Sequence, residues 1–181
     1  MHWIFGYGSL IWRPDFPYTT VRRAAVRGWR RRFWQASPDH RGVPAAPGRV
    51  VTLVADAAAT CWGVAFQAEA AHFEAIVAML DEREKNGYDA HTLRLEFDDG
   101  SGAEALTYIA GPDNPSFVGP APLGAMAAQI ARAHGPSGSN REYLARLAVT
   151  LVELGIEDDE VARLHATVEA ADGMTLHTAA R

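Results

Sequence analysis

Alternating and periodic apolar positions divide the first half of the chain into predicted strands and one helix. Residues 28–34, 50–55 and 61–67 are rich in valine and aromatic residues, a composition typical of strands. Apolar residues at offsets of 0, 3, 4 and 7 then predict a helix over about residues 68–82. We expect Asn86-Gly87 to end that helix, because this dipeptide favours a turn.

The second half of the chain predicts a β-hairpin followed by helices. Apolar and polar residues alternate over 91–97, and after a glycine-containing turn a second strand runs to about residue 110. Three helices are predicted after it, at about residues 123–134, 140–154 and 158–171. Ser139 and Glu142 form a capping box before the middle one. Strands with one helix between them, and then a helical third, predict the α+β class.

An apolar run near the start of the chain is interrupted by Gly6 and Gly8. Glycine leaves neighbouring amides unshielded, so the backbone N–H groups of residues 6–10 can converge on a carboxylate or a phosphate. The alternative is a tight turn between two buried strands. A nucleotide site is not indicated, because the third glycine of a dinucleotide fingerprint and the lysine of a P-loop are both missing.

Two loops rich in proline and glycine lie between the predicted elements. Residues 37–49 have strand-like flanks, so we interpret them as an excursion within one domain and not as a linker. Residues 112–122 form either a lid or a packed surface loop, and we favour the packed loop. We therefore predict a single domain over residues 1–181, with a disordered tail from about residue 172.

Composition and charge narrow the class of protein. The chain has 181 residues, 48% of them hydrophobic and 22% charged, as is ordinary for a globular domain. The net charge of −5 conceals an uneven distribution, since residues 1–50 contain nine arginines and two aspartates. The arginine run at residues 30–32 is short, and no nucleic-acid-binding motif accompanies it. We therefore expect a solvated strand face and no nucleic-acid partner.

The cysteine content and the apolar runs bear on location. Cys61 is the one cysteine, so no internal disulfide can form, and free cysteine in a strand-like run is usually buried. No apolar run reaches the ~20 residues needed to cross a bilayer. The N-terminal apolar run also has neither the basic region nor the cleavage site of a signal peptide. We expect a cytoplasmic protein with no membrane partner.

Motif spacing disfavours two hydrolytic chemistries. A Ser9-His40-Asp39 triad would lack the Gly-x-Ser-x-Gly elbow that such hydrolases use. The seven histidines are scattered without the spacing of a metal-binding pair. We therefore predict no metal and no cofactor.

Five segments carry motifs that are long enough to be specific. They are Ile4-Phe5-Gly6-Tyr7-Gly8-Ser9-Leu10, Arg31-Arg32-Phe33-Trp34-Gln35, Asp39-His40-Arg41-Gly42-Val43-Pro44, Pro47-Gly48-Arg49-Val50-Val51-Thr52-Leu53 and Leu80-Asp81-Glu82-Arg83-Glu84-Lys85-Asn86-Gly87-Tyr88. With these motifs the chain closely resembles the ChaC-type, glutathione-specific γ-glutamylcyclotransferases, from residue 1 to about residue 165. The resemblance implies a small mixed β-barrel with flanking helices, and glutathione as a small-molecule substrate.

The resemblance also implies roles for particular residues. Glu84 matches the proton-accepting glutamate of the family, residues 4–10 match its substrate loop, and Tyr143 matches a tyrosine at its pocket. From the residues alone, Glu84 ranks no higher than Glu82 or Asp81, since a glutamate between an arginine and a lysine at a helix end is usually a solvated charge.

The chemistry of the family needs a base beside an amine. A γ-glutamyl compound cyclises to 5-oxoproline when its α-amine attacks the γ-carbonyl, and the ammonium must first lose a proton. Glu84 is the predicted base. We expect it just past the C-terminus of a helix, where the macrodipole and partial burial raise the pKa of its carboxyl more than Arg83 and Lys85 lower it.

Gln35, Arg41 and Tyr143 complete the predicted substrate-binding residues, each with an alternative. Gln35 either bonds substrate or belongs to a strand edge, and Tyr143 can be a half-buried core aromatic. Arg41 either binds a substrate carboxylate or fastens its loop together with Asp39 and His40, which we favour. A cyclotransferase for other γ-glutamyl peptides or amines, and a non-catalytic γ-glutamyl-binding module, stay open as alternatives.

Overall fold

The computed structural model describes residues 1–85 and 87–178, with side chains as far as Ala171. This part of the chain divides into two compact units. They are Met1–Arg32 with Val51–Phe117, and Phe33–Val50 with the residues from Val118 onward. A closed barrel and four α-helices confirm the predicted α+β class. The assignment of residues 1–181 to a single domain stays a prediction.

The barrel has five strands and accounts for most of the first unit. They are β1 (His2–Gly6), β2 (Thr20–Ser37), β3 (Gly48–Ala68), β4 (Asp89–Phe97) and β5 (Gly102–Ile109). Their order is β1-β3-β2-β4-β5, and β5 closes onto β1. β1 is antiparallel to β3 and parallel to β5, so the barrel is mixed as the resemblance implies. Ile4 and Phe5 of β1 are fully buried, which explains the apolar run before the first glycine.

β3 corrects one prediction. The pattern predicts separate strands at residues 50–55 and 61–67, whereas the structure has one strand from Gly48 to Ala68. The residues between the two predicted strands include neither glycine nor proline, so none of them forces a turn. Asp56 lies in this stretch and accepts a 2.7 Å hydrogen bond from Arg30 Nε.

The first α-helix, α1 (Ala70–Glu84), ends later than predicted. Glu84 is its last residue and does not lie just past its end, and the Tyr88 amide donates a 3.2 Å hydrogen bond to the Glu84 carbonyl. Gly87 has a φ of +105°, a conformation that glycine adopts readily, so the predicted stop is confirmed at that residue. Asn86, its other member, lies outside the described residues.

The arginines of β2 in the first unit face carboxylates of the β4–β5 hairpin. The pairs, at 2.6–2.9 Å, are Arg22 with Asp99, Arg23 with Asp98, and Arg27 with Glu96. All six side chains are partly or largely exposed, and such pairs contribute little stability. Arg22, Arg23 and Arg27 therefore form a solvated strand face, whereas the prediction is wrong for Arg31, in the middle of the arginine run, which is buried.

Three helices and a two-stranded hairpin make up most of the second unit. They are α2 (Leu123–Arg132), β6 (His134–Gly135), β7 (Gly138–Ser139), α3 (Asn140–Glu153) and α4 (Asp159–Thr178). The helices contact one another and bury an apolar core that includes Ile130, Leu144, Leu147, Leu151 and Leu164. α4 runs past the predicted end at residue 171. The side chains from residue 172 and all of residues 179–181 lie outside the described part, so the disordered tail stays a prediction.

The first residue of α3 is hydrogen-bonded to β3. Asn140 is fully buried, and its Oδ1 accepts a 2.6 Å bond from the Arg49 amide while its Nδ2 donates a 2.7 Å bond to the Arg49 carbonyl. The side-chain amide thus pairs with the strand as a neighbouring strand would. Ser139 Oγ accepts a 3.1 Å bond from the Glu142 amide, so this half of the predicted capping box is confirmed.

Both proline-rich loops are tied to neighbouring residues of the second unit. The Ser137 amide donates a 2.9 Å bond to the His40 carbonyl, and His40 Nδ1 lies 3.1 Å from Ser137 Oγ. The Val118 amide donates a 2.8 Å bond to the Trp34 carbonyl. His40 therefore fastens its loop, as predicted. Val118 is bonded through its backbone, but its side chain is 42% exposed, so the packed loop that we favour for residues 112–122 is not confirmed at this residue.

Candidate active site

Glu84 lies at the C-terminal end of α1 with a mostly shielded side chain. Only 18% of that side chain is exposed, and its Oε1 lies 3.3 Å from Arg83 Nε. Glu82, the nearby carboxylate, is 73% exposed and pairs with Lys85 instead. The structure therefore distinguishes two glutamates that the sequence alone leaves equivalent.

Arg83 connects Glu84 to the glycine-containing loop. Its Nη2 donates a 3.0 Å hydrogen bond to Ser9 Oγ, and its Nη1 donates a 2.9 Å bond to the Arg13 carbonyl. Nη1 also lies 3.5 Å from Asp15 Oδ2. One guanidinium thus holds the helix end and the loop together in the first unit.

The loop that begins at Gly6 leads from β1 into a short 3-10 helix, Ser9–Ile11. A β-carbon on Gly6 would lie 2.9 Å from the β-carbon of Leu10, so close approach requires glycine there. Gly8 has φ −127°, so the positive φ that glycine permits is not used at that residue. Within the part of the chain that the structure describes, the Gly8, Ser9 and Leu10 amides donate to no protein acceptor.

Arg31 supports the same loop from β2. It is 2% exposed, and it donates from Nε to the Tyr7 carbonyl at 2.7 Å and from Nη2 to the Trp62 carbonyl at 2.5 Å. Its burial is unusual for arginine, and two carbonyl partners compensate the cost of desolvating the guanidinium. The signal in the sequence is alternation, since Arg31 shares a buried strand face with Phe33.

Two tyrosines connect the loop to α1, Tyr7 in the loop itself and Tyr108 in β5. Tyr7 Oη donates a 2.6 Å bond to the Tyr108 carbonyl, and Tyr108 Oη donates a 2.6 Å bond to Asp81 Oδ1. Burial raises the pKa of the Tyr108 hydroxyl, and the hydrogen bond to Asp81 and the charges of Asp81 and Glu84 raise it further. Tyr108 therefore stays protonated and donates to the Asp81 carboxylate.

Gln35, in the second unit, is a fully buried polar side chain in β2. Neither its amide nitrogen nor its amide oxygen has a hydrogen-bond partner among the described residues. An unsatisfied buried amide costs roughly 1–3 kcal/mol, which makes it an expected ligand-binding group. A role at a strand edge would not explain why this side-chain amide is buried without a partner among the described residues.

Arg41 and Tyr143 lie together in the second unit. The Arg41 guanidinium carbon is 5.6 Å from the centroid of the Tyr143 ring, and the ring of Phe33 meets Tyr143 edge-on at 6.1 Å. Arg41 Nη1 lies 3.4 Å from Glu142 Oε2 and donates a 3.2 Å bond to the Ser139 carbonyl. Tyr143 is 5% exposed, so it is buried and not half-buried as its sequence context predicts.

The serine and the histidine of the disfavoured hydrolase triad contact different residues. Ser9 Oγ accepts from Arg83 in the first unit, and His40 lies beside Ser137 in the second. Cys61 is buried, as expected from its strand-like run. No group of three metal-ligating side chains occurs in the described ranges 1–85 and 87–171. Among the described helices, none has the length and apolar character needed to cross a membrane.

The solved structures that share this architecture define the class of fold. The crystal structure of a γ-glutamyl cyclotransferase specific to glutathione from yeast matches with a TM-score of 0.87 and 32% identity, covering 93% of this chain and 96% of that one. A structure named γ-glutamyl cyclotransferase shares the fold at a TM-score of 0.56 and 14% identity, over 91% of this chain and 86% of that one. The fold is that of the γ-glutamylcyclotransferases.

Sequence comparison identifies the family within that class. A sequence model described as ChaC-like protein matches residues 2–171, and the chain belongs to the ChaC-like family. It is 47% identical over 150 residues to glutathione-specific gamma-glutamylcyclotransferase 1 of Homo sapiens, covering 81% of this chain and 68% of the relative. It is 35% identical over 202 residues to the Saccharomyces cerevisiae glutathione-specific gamma-glutamylcyclotransferase, covering 85% and 87%.

Proposed function

We propose that this protein is a glutathione-specific γ-glutamylcyclotransferase that converts glutathione to 5-oxoproline and Cys-Gly. The observation that carries the proposal is the arrangement of Glu84 with the glycine-containing loop through Arg83. Relatives named for this activity, at 35–47% identity, give independent support.

The reaction is an internal substitution at the γ-carbonyl. The α-amine nitrogen bonds to the carbonyl carbon of the γ-glutamyl amide, a five-membered lactam closes, and the bond from that carbon to the cysteinyl nitrogen breaks. The α-ammonium loses two protons as it becomes the lactam N–H, and the cysteinyl nitrogen gains two as it becomes the ammonium of Cys-Gly, so the reaction balances and no water is consumed. The nucleophile is already part of the substrate, so the enzyme's main tasks are to hold the folded-back conformer and to move protons.

Glu84 is the proton-transfer group in this proposal. An α-ammonium has a pKa near ~8, so a base must remove a proton before the amine can attack. The shielded Glu84 carboxylate is suited to accept that proton and to return it to the departing amine. The raised pKa expected for Glu84 from the sequence stays a prediction.

The substrate loop of the proposal consists of Ile4, Phe5, Gly6, Tyr7, Gly8, Ser9 and Leu10. The amides of Gly8, Ser9 and Leu10 donate to no protein acceptor among the described residues, so they are suited to bind the α-carboxylate or the developing oxyanion. The buried Arg31 fixes the Tyr7 carbonyl, which keeps the backbone of this loop in one conformation.

Gln35, Arg41 and Tyr143, all in the second unit, are the other residues that we propose to bind substrate. The Gln35 side-chain amide, which has no hydrogen-bond partner among the described residues, can both donate and accept, as a peptide group requires. Arg41 is proposed for the distal glycine carboxylate, in competition with Glu142. Tyr143 supplies the aromatic surface on which Arg41 lies.

We further propose that the protein acts in the cytoplasm, without metal or other cofactor and without a nucleic-acid or membrane partner. A single buried cysteine is compatible with a reducing compartment. The cyclisation itself needs neither an electron acceptor nor a Lewis acid, since proton transfer alone balances it.

A panel of substrates tests the proposal. Purified protein is incubated with glutathione, with N-acetylglutathione and with γ-glutamyl-alanine, and 5-oxoproline and the freed amine are measured. We expect turnover of glutathione and none of N-acetylglutathione, whose nucleophile is blocked. Preference for γ-glutamyl-alanine would favour a broader cyclotransferase, a reading to which a relative named Gamma-glutamylcyclotransferase 2-3, 43% identical, also points. Binding without any 5-oxoproline would indicate a non-catalytic module.

A further inference from the structure

We infer that Arg83 is a positioning residue that sets the distance between the Glu84 carboxylate and the substrate loop. The inference rests on the proposed function, because it takes Glu84 as the proton-transfer group. It concerns a side chain whose sequence context, a charged residue in the last turn of a helix, suggests only solvated charge.

The contacts of Arg83 use all three guanidinium nitrogens. Nε faces Glu84 Oε1 at 3.3 Å, and Nη2 donates to Ser9 Oγ at 3.0 Å. Nη1 donates to the Arg13 carbonyl at 2.9 Å and lies 3.5 Å from Asp15 Oδ2. The guanidinium group therefore contacts the proposed base, the 3-10 turn and the segment that follows this turn at the same time.

The planar fork of arginine is what this geometry requires. A guanidinium presents its five N–H donors in fixed directions, whereas a lysine ammonium is a point charge on a flexible stem. Lysine at residue 83 would keep the positive charge beside Glu84 but could not reach all three directions. The proposed role therefore depends on shape as well as on charge.

The neighbourhood keeps Arg83 in place. Its side chain is 21% exposed, and Asp15, with a φ of 57°, also bonds Arg13 Nε at 2.7 Å. Asp15 thereby fastens two arginines at the end of the loop. Lys85, on the other side of Glu84 in the sequence, is 57% exposed and pairs with Glu82. Arg83 and Lys85 therefore flank Glu84 in the chain. Among the described contacts, Arg83 is hydrogen-bonded to the loop and Lys85 is not.

The test compares Arg83→Lys, Arg83→Gln and the matched control Lys85→Gln in 5-oxoproline assays with glutathione. Misplacing a catalytic group by about 1 Å can cost about 100-fold, so we expect kcat of both Arg83 variants to fall at least tenfold, with KM changed less than about threefold. Lys85→Gln should stay within about threefold of wild type in both constants, because Lys85 is 57% exposed and pairs with Glu82 and not with Glu84 or the loop.

Two further measurements distinguish the positioning role of Arg83 from a general loss of structure in its variants. Urea unfolding gives the folded fraction of each variant, and kcat is expressed per folded molecule. A cycle with Ser9→Ala adds a second readout: if Arg83 acts through Ser9, the effects of Arg83→Lys and Ser9→Ala on kcat will not add.

The outcomes are distinct. Arg83→Lys with the kcat of wild type would overturn the inference, as would an effect on KM alone or additive effects in the cycle. If Arg83→Gln does not fold, the inference is tested by Arg83→Lys and by the cycle with Ser9→Ala. Wild-type protein that forms no 5-oxoproline from glutathione would contradict the proposed function itself, whereas an active wild type with insensitive Arg83 variants contradicts only the positioning role.

Discussion

The hydroxyl of Tyr108 donates a 2.6 Å hydrogen bond to Asp81, a residue of the same helix that ends at Glu84. Tyr108 is buried, and its pKa is raised by that burial and by the charges of Asp81 and Glu84. β5 is thereby joined to α1 one turn before the proposed base. The hydrogen bond exists only while the phenol is protonated. The stability of the fold should therefore decrease at alkaline pH.

We predict that Tyr108→Phe removes that dependence. The unfolded phenol ionises near pH ~10, whereas the folded one resists ionisation, so wild-type stability is full below pH ~10 and falls as the pH rises above it. Tyr108→Phe should be less stable at neutral pH by about 1.5–3 kcal/mol, the value of a hydrogen bond to a charged group, and should lose less stability between pH 9 and 11. Urea unfolding over that pH range measures both. Parallel curves for the two proteins would contradict the prediction.

Glu84→Gln should abolish 5-oxoproline formation and leave the fold intact. Glutamine keeps the shape of the side chain but cannot accept the ammonium proton, and loss of a general base costs at least ~100-fold in kcat. Glu82→Gln is the matched control, because Glu82 is largely exposed and pairs with Lys85. Steady-state assays of both variants decide, and a Glu84→Gln enzyme with more than about a tenth of wild-type kcat would refute the assignment.

Gln35→Met should make the protein more stable and a worse catalyst. Methionine keeps the length of the side chain and removes a buried amide that has no partner among the described residues, so the free energy of unfolding should rise by about 1 kcal/mol. KM for glutathione should rise at least about tenfold if the amide bonds the substrate.

Gln129→Met is the control for that experiment. Gln129 accepts from Arg49 Nε at 2.7 Å and donates to the Pro47 carbonyl at 2.9 Å, so its loss should destabilise the protein. If Gln35→Met is destabilising like Gln129→Met and KM is unchanged, the Gln35 amide has a structural role.

Arg41→Gln should affect glutathione more than a substrate without a distal carboxylate. A charge-assisted contact is typically worth about 1.5–3 kcal/mol, so kcat/KM for glutathione should fall roughly ten- to a hundredfold. A γ-glutamylamine should be turned over as well by the variant as by wild type. Arg146→Gln is the control, because Arg146 also pairs with Glu142 and is 56% exposed. Equal losses on both substrates would argue against carboxylate recognition by Arg41.

Local patterns in the sequence predict much of the fold. The period of apolar residues predicts α1 and the C-terminal helices, and paired glycines predict where β1 ends. The continuity of β3 is not predictable in this way, because its alanines favour neither a strand nor a turn strongly. Pairing with the neighbouring strands of the barrel determines the conformation there. Glu84 enters the predicted site through its motif, since nothing in the local sequence distinguishes it from Glu82.

Residues that act through distant partners escape the sequence analysis. Arg83 bonds Ser9 and Arg13, and Asn140 bonds Arg49. Each pair is separated by tens of residues, so no local pattern predicts it. Gln35 is the converse case, because its distinguishing property is the absence of a partner among the described residues, which only a folded structure reveals.

The amide pairing of Asn140 with Arg49 limits where this chain can be cut. A fragment that ends before α3 would leave the Arg49 amide and carbonyl at an open strand edge, and such edges recruit other chains. The residues from Gly48 would then be prone to pair between molecules. A truncated version for expression should therefore retain α3, and a shorter product released by a protease would be expected to aggregate.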